Sequence, residues 1–403
     1  MPRALPTTLR LITCTLVIAI APLTTSCGSD ATRDTVVRDS AGVRIVENAR
    51  PTAATIALEP RPQIDIGPAA GVQGEFIGTP ISAVRQRDGT IAVAAWITTE
   101  FRLFDSTGAW RQTVGRSGEG PGEFDVLGFL FRGPGDSLMT FEPALRRVQR
   151  WTPGGQFVAR HELTPPRGRP AGWLAGVFAD GTLLLTTSRP DPTRTTNTTM
   201  GGTVLLQGVA LEGARWDSLL TYREARTLRH IQHPDWGYAE PLFEPVPSVA
   251  VRGSRMAFAT GERFEIELRN ARGELTMLLR RDAPERVVSA AERERAIEAW
   301  VGQRRDTLRT LMLPRLRSVA DRRARPAISS VHLTEDGGVW AVYGDPTLGE
   351  AVRASVFDAA GQWLADVVLP SGFEIAQVDA DGVLGVTVDG EGFRHIQFYR
   401  VTK

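Results

Sequence analysis

The chain is almost without lysine. Lys403, its last residue, is the one lysine among 47 basic residues, and all the others are arginine. Against 46 acidic residues this leaves a formal net charge of +1, which excludes a global pull toward nucleic acid or anionic lipid. So uniform a bias fits genome composition better than phosphate recognition, and arginine clusters are discounted accordingly. Cysteine is as scarce: Cys14 and Cys27 are the only two, both within the first 27 residues. The body of the chain therefore has no disulfide, thiolate metal site or cysteine nucleophile. Five histidines, at 161, 230, 233, 332 and 395, are a thin supply for acid–base chemistry. No G-x-S-x-G elbow, P-loop, dinucleotide fingerprint or zinc motif occurs.

What the chain has in quantity is turn chemistry. Forty Gly and 26 Pro spread over 403 residues, with 42% hydrophobic residues, suit one large all-β domain with a sizeable core. Residues 77–124 show the repeating unit. Short apolar runs at 81–84, 91–95, 101–104 and 110–114 are separated by the turns Asp88-Gly89 and 105–108, and they end in a glycine-rich connector. Runs of this length between Gly/Asp turns predict an antiparallel meander of four strands. Comparable first turns fall at Gly135-Asp136, Asp180-Gly181, Arg252-Gly253, Asp336-Gly337 and Asp381-Gly382, which makes six units.

The connector itself repeats. Residues 66–76 run parallel to 114–124, with Gly67 matching Gly115 and Gly74 matching Gly122 at one offset of 48 residues. A fixed period of about 40–50 residues is a propeller signature. Third-strand segments repeat as well: Arg147-Val148-Gln149, Arg353-Ala354-Ser355-Val356-Phe357-Asp358 and His395-Ile396-Gln397-Phe398. In these segments and in the G-x-G-P-G-E-F connector the chain resembles NHL-like and TolB-like six-bladed β-propellers. That resemblance implies an all-β, six-bladed propeller over 54–403. Only three strands fit in the last blade, so 63–66 is expected to supply its outer strand and to close the ring.

The N-terminus carries Arg3 and Arg10, then a mostly apolar stretch at 11–23 that is short for a membrane span, then Thr24-Thr25-Ser26-Cys27. This resembles a bacterial lipoprotein signal peptide, although Thr24 stands where a large apolar residue is usual. The resemblance implies a signal peptide at 1–26 and a lipid on Cys27. It also implies export to the cell envelope, at the outer membrane or periplasm of a Gram-negative bacterium. A plain secretory signal cleaved elsewhere is the alternative. Residues 27–53 read as a flexible tether, with a first strand offered by one short apolar alternation at 43–46.

Two departures from a minimal ring stand out. Polar excursions at 189–202 and 223–247 read as loops. A helical insertion at 283–326, between the fourth and fifth blades, opens with a capping box, Ser289-Ala290-Ala291-Glu292. Ile297, Trp300, Val301, Leu308, Leu311 and Met312 then recur at helical spacing. Residues 281–325 hold twelve Arg against seven acids, a pattern that suits a solvated helix face better than a lipid-binding patch.

Candidate binding residues gather on connectors and loops. Glu75, Glu119 and Glu123 sit on connectors that, by the resemblance, cross one face near the central channel, where carboxylates can hold calcium. Against that, Gly-Glu-Phe is equally a structural joint. Trp96, Phe141, Glu142 and Tyr343 fall near strand two-to-three turns on the same expected face, where aromatics suit sugar or peptide contacts. His230, His233, Asp235 and Trp236 share one loop, the histidines three apart, with Pro234 opposing a long helix. The expected role is a non-enzymatic binding or scaffold module for a protein, peptide or glycan, without nucleic acid. The alternative is a metal-dependent lactonase-like hydrolase or lyase at the channel mouth, supported by fold analogy alone.

Overall fold

Each of the six glycine-bearing turns reverses the chain between the first two strands of one antiparallel sheet. The computed structural model describes residues 34–52, 55–68, 80–95, 98–167, 172–194, 199–211, 215–228, 241–302, 310, 313, 314, 316–318 and 324–403. The first strands of the sheets are Pro80–Arg85, Phe129–Arg132, Trp173–Val177, Ser248–Arg252, Ser330–Leu333 and Glu374–Val378. They contact one another in cyclic order, and residues from all six line one central cavity. The fold is a six-bladed all-β propeller.

A first strand is a sheet edge, and its unpaired backbone groups need partners. Side chains of neighbouring blades supply them. Ser82 Oγ accepts from the Leu130 N–H and donates to the Leu130 carbonyl, each at 3.1 Å. Ser248 Oγ accepts from Val331 N–H at 3.0 Å. Gln377 accepts from Arg85 N–H at 3.1 Å and donates to its carbonyl at 2.8 Å. Between blades the core is apolar. Phe124, from the Gly-Glu-Phe joint, is buried against Phe101 of the first blade and Trp151 of the second, with ring centroids at 6.4 and 5.5 Å. Gly115 has a φ of +94°, and a Cβ there would lie 2.5 Å from the Phe124 ring, so glycine is required twice over. The earlier copy of this connector lies, from residue 69, outside the described residues.

The last blade contains three strands from the C-terminal segment, Glu374–Val378, Gly382–Val388 and Arg394–Thr402. Ile64–Ile66 pairs antiparallel with the third, Ile66 opposite Ile396 and Ile64 opposite Phe398, and Ala57–Leu58 pairs with its far end.

Within the stretch expected to be a tether, Thr35–Ser40 and Val43–Asn48 form a hairpin. Its second strand lies parallel to Leu275–Arg281 and widens the fourth blade to six strands. Val46 is fully buried there, and Asn48 donates to the carbonyls of Arg280 and Gly361 while accepting from Trp363 N–H. The excursion at 189–202 is strand rather than loop over much of its length. Leu183–Asp191 and Thr199–Ala210 stay paired out to Asp191 opposite Gly201, which extends the third blade beyond its neighbours.

Helix Ala290–Gly302 follows the fourth blade, and its capping box forms: Ser289 N–H donates to Glu292 at 2.9 Å, and Glu292 N–H to Ser289 Oγ at 3.2 Å. Ile297 and Val301 are buried with Leu316 and against Leu242. Arg325 pairs with both Glu292 and Glu350, and Arg286 reaches Glu350 at 2.9 Å. These pairs tie the start of the helix to the turn after the second strand of the fifth blade.

Candidate functional site

The residues singled out in the sequence divide sharply. Cys27, Glu75, Trp96, His230, His233, Asp235 and Trp236 lie outside the described residues. Glu119, Glu123 and Glu142 meet at the joint between the first and second blades. The strand register sets Glu142 opposite Arg147, and the two are 1% and 3% exposed. Arg147 Nη2 donates to Glu142 at 2.8 Å and to the Glu123 carbonyl at 2.9 Å, and Nη1 reaches the Glu119 carbonyl. Asp125 N–H donates to Glu142 Oε1 at 3.0 Å. Glu123 accepts from Gly120 N–H and pairs with Arg116. Those two bonds hold its carboxyl below the usual range, the backbone bond contributing most. Glu123 and Glu142 thus clasp the connector, and Glu119 contributes its carbonyl. Of the aromatics expected near the mouth, Phe141 is buried and Tyr343 packs over Arg281 at 4.7 Å. Both are inter-blade packing. Among the described residues no group of three His, Cys, Asp or Glu is placed to hold a metal ion.

The described concavity of functional size is the lumen itself, about 480 Å³. That is within the ordinary range of small-ligand sites, roughly 300–1,000 Å³. Its two ends differ in kind. At the end of the strand one-to-two turns, four arginines meet four carboxylates drawn from five blades. Arg252 pairs with Asp379 at 2.6 Å, Arg85 with Asp381 at 2.9 Å, Arg132 with Asp136, and Arg87 with Glu335. Arg132 also lies 3.8 Å from Glu335 and 3.9 Å from Asp379. The Arg87 bond, with Arg132 and Arg252 nearby, holds the Glu335 carboxyl below its ordinary value. Among these eight side chains the charges balance, and their pairs cross-link the blades at this end, the floor of the lumen.

The walls above the floor are uncharged. On one side Phe131 lines the lumen, Phe129 lies 6.5 Å from it, and Trp173 lies 6.5 Å from Phe129 at 77°. Trp173 begins its strand at the end away from the floor and is 55% exposed, so the three rings run from the lumen wall toward that end. On another side stand Ser248, Ser330 and His332. His332 Nε2 and Ser330 Oγ are 3.0 Å apart. Burial pushes the His332 pKa down to about 4, so the imidazole is neutral at pH 7 and hydrogen-bonds without carrying charge. A serine beside a histidine has the spacing of a nucleophile and its base. Here no carboxylate among the described residues bonds the imidazole, and a pKa near 4 makes it a feeble base. The arrangement suits binding.

These lumen residues escaped the sequence reading. Alternation within Ser330-Val331-His332-Leu333 separates two faces but does not say which one meets the lumen. Phe131, Ala175, Ala250, His332 and Ala376 line it from five of the six first strands.

No family model matches the chain, and no curated protein sequence matches it. Solved structures do resemble it. A DUF4221 family member of Bacteroides vulgatus is 8% identical over 87% of this chain and 100% of that one, with a TM-score of 0.49. A candidate exported protein of Bacteroides fragilis is 12% identical over 89% and 100%, with a TM-score of 0.46. Virginiamycin B lyase of Staphylococcus aureus is 8% identical over 87% and 100%, with a TM-score of 0.39. The fold assignment rests on the chain's own six sheets.

Proposed function

We propose that the chain is a binding protein of the cell envelope that takes a ligand into the central lumen from the mouth beside Trp173. One observation supports this most: among the described residues the lumen has an ion-paired ring of side chains at one end and an exposed aromatic ring, Trp173, toward the other. A rigid ring with variable loops is suited to such a role. The pairing of Ile64–Ile66 with the last blade is read as the closure of the ring, which keeps the lumen walls in fixed register.

The test is a thermal-shift screen with saccharides, short peptides and small metabolites. Ala376 lines the lumen and is exposed to it, so Ala376→Phe fills space without disturbing the core. Ligands that stabilise the wild type are expected to lose that effect in Ala376→Phe. Ligands indifferent to the plug, or consumed during the assay, would overturn the proposal.

Attachment is proposed through a lipid on Cys27. No helix among the described residues is long and apolar enough to cross a membrane. Cys27→Ser in the full chain is expected to move the protein from the membrane fraction to the soluble fraction of the envelope. Unchanged fractionation would refute the anchor and leave the lumen site untouched.

A further inference from the structure

Three properties of the lumen constrain what enters it. First, eight charged side chains at its floor form matched pairs, Arg252 with Asp379, Arg85 with Asp381, Arg132 with Asp136 and Arg87 with Glu335, while one buried donor, Arg132 Nη2, has no hydrogen-bond partner. An ionic group arriving there meets no unmatched counter-charge and would lose its hydration without replacement. Second, the rim presents a flat aromatic surface. Trp173 is half exposed and is held edge-to-face by Phe129, which itself packs against Phe131, so the platform is supported from behind. Third, another wall offers neutral hydrogen-bonding groups at two heights: Ser248 and Ser330 at the mouth end of their strands, and His332 deeper. A hydroxyl both donates and accepts, as does a neutral imidazole.

The ligand that matches is uncharged, has one flat apolar face, and carries hydroxyl groups around its edge. A pyranose ring has that form: axial C–H bonds on a face, hydroxyls on the perimeter. We infer that the lumen with its Phe129–Trp173 rim is a binding site for the end of a neutral oligosaccharide, one sugar face stacked on Trp173 and the leading ring directed toward Ser330 and His332. This rests on the lumen being the ligand site. A peptide end fits less well, because its terminal ammonium or carboxylate would have to be buried against a floor already neutralised.

The experiment is saturation-transfer NMR and calorimetry on the whole mature chain with maltotriose, cellotriose, laminaritriose and tri-N-acetylchitotriose. Trigalacturonate serves as the charged control and trialanine as the peptide control. At least one neutral trisaccharide is expected to bind, with transfer concentrated on ring C–H protons, and trigalacturonate is expected to bind at least tenfold more weakly. Trp173→Ala, an exposed position whose loss leaves the core intact, should weaken the neutral sugar at least tenfold. His332→Phe should weaken it while His332→Asn, which keeps a hydrogen-bonding group, should weaken it less. The inference falls if no neutral trisaccharide binds at up to about 1 mM, in the range of weak affinity. It falls equally if binding survives both Trp173→Ala and the Ala376→Phe plug, since the sugar would then sit elsewhere. Trialanine binding that the plug abolishes, with no sugar binding, would overturn the saccharide assignment and leave the lumen site standing. Failure of every plug-sensitive ligand would remove both.

Discussion

Glu142→Ala is expected to cost about 3–5 kcal/mol of stability, the usual penalty for stranding one member of a buried ion pair. The position explains the size. Glu142 and Arg147 are almost wholly buried, and Arg147 reaches across to the Glu119 and Glu123 carbonyls, so the pair fastens the second blade to the connector from the first. Alanine would leave the guanidinium buried without its carboxylate and would free the Asp125 N–H. Glu123→Ala is the control: its partner Arg116 is a surface side chain, so the loss is expected to be much smaller than for Glu142→Ala. The double variant Glu142→Leu/Arg147→Met should recover much of the loss, because apolar replacements of a buried pair are often neutral or stabilising. Urea unfolding followed by circular dichroism reads all three. A Glu142→Ala midpoint close to wild type would show that the clasp is not structural and would return Glu142 to the candidate ligand contacts.

How this joint looked in the sequence shows which features were legible there. The Gly-Glu-Phe connector and the six glycine-bearing turns were readable because each imposes a local requirement. Gly89 adopts a φ of +87° in its turn, and Phe124 needs glycine at 115 beneath its ring. Architecture followed from counting such requirements. Arg147 was seen as a strand residue, but its ion pair with Glu142 depends on cross-strand register, which periodicity alone does not set. Of the N-terminal hairpin, the alternation at 43–46 showed a strand, but its partner Thr35–Ser40 and its place beside the fourth blade were hidden for a related reason. Thr35–Ser40 is mostly exposed, and in Val43–Asn48 the buried residues Ile45, Val46 and Asn48 pair with a strand that begins at residue 275. Pairing over so long a separation leaves little local trace. At 189–202 the signal misled outright, since a hairpin projecting beyond its neighbours has polar residues on both faces and looks like a loop. Lumen residues were hardest. A first strand is flanked by blades on both sides, so small and apolar residues suit every position, and His332 carries no mark of its orientation.

The strand Ile64–Ile66, paired with the last blade, gives the second large effect. Ile64 and Ile66 are 3% and 4% exposed and sit in one cluster with Ile91 and Phe104 of the first blade and Ile396 and Phe398 of the last. Ile66→Ala is expected to cost about 2–5 kcal/mol through lost burial and the cavity left behind. Polar contacts on the same strand make part of its hold depend on pH. His395 Nδ1 lies 2.8 Å from Asp65, its Nε2 lies 3.1 Å from Asp389 in the neighbouring turn, and Gln397 donates to the other Asp65 oxygen at 2.9 Å. Burial pulls the imidazole pKa down, but the two carboxylates outweigh it and hold the value above the ordinary 6.5. The folded state therefore binds the proton more tightly than the unfolded chain does. The resulting stabilisation is complete below about 6.5 and disappears as pH rises through the folded value. Because Asp65 and Asp389 are partly solvated, its size is on the order of 1 kcal/mol or less. Between about pH 6 and pH 9 the unfolding midpoint of the wild type should fall more than that of His395→Gln, whose other titrating groups are the same. Parallel pH profiles would show that the histidine bridge contributes nothing to holding the strand, and an unchanged Ile66→Ala midpoint would show that the strand is not needed to close the ring.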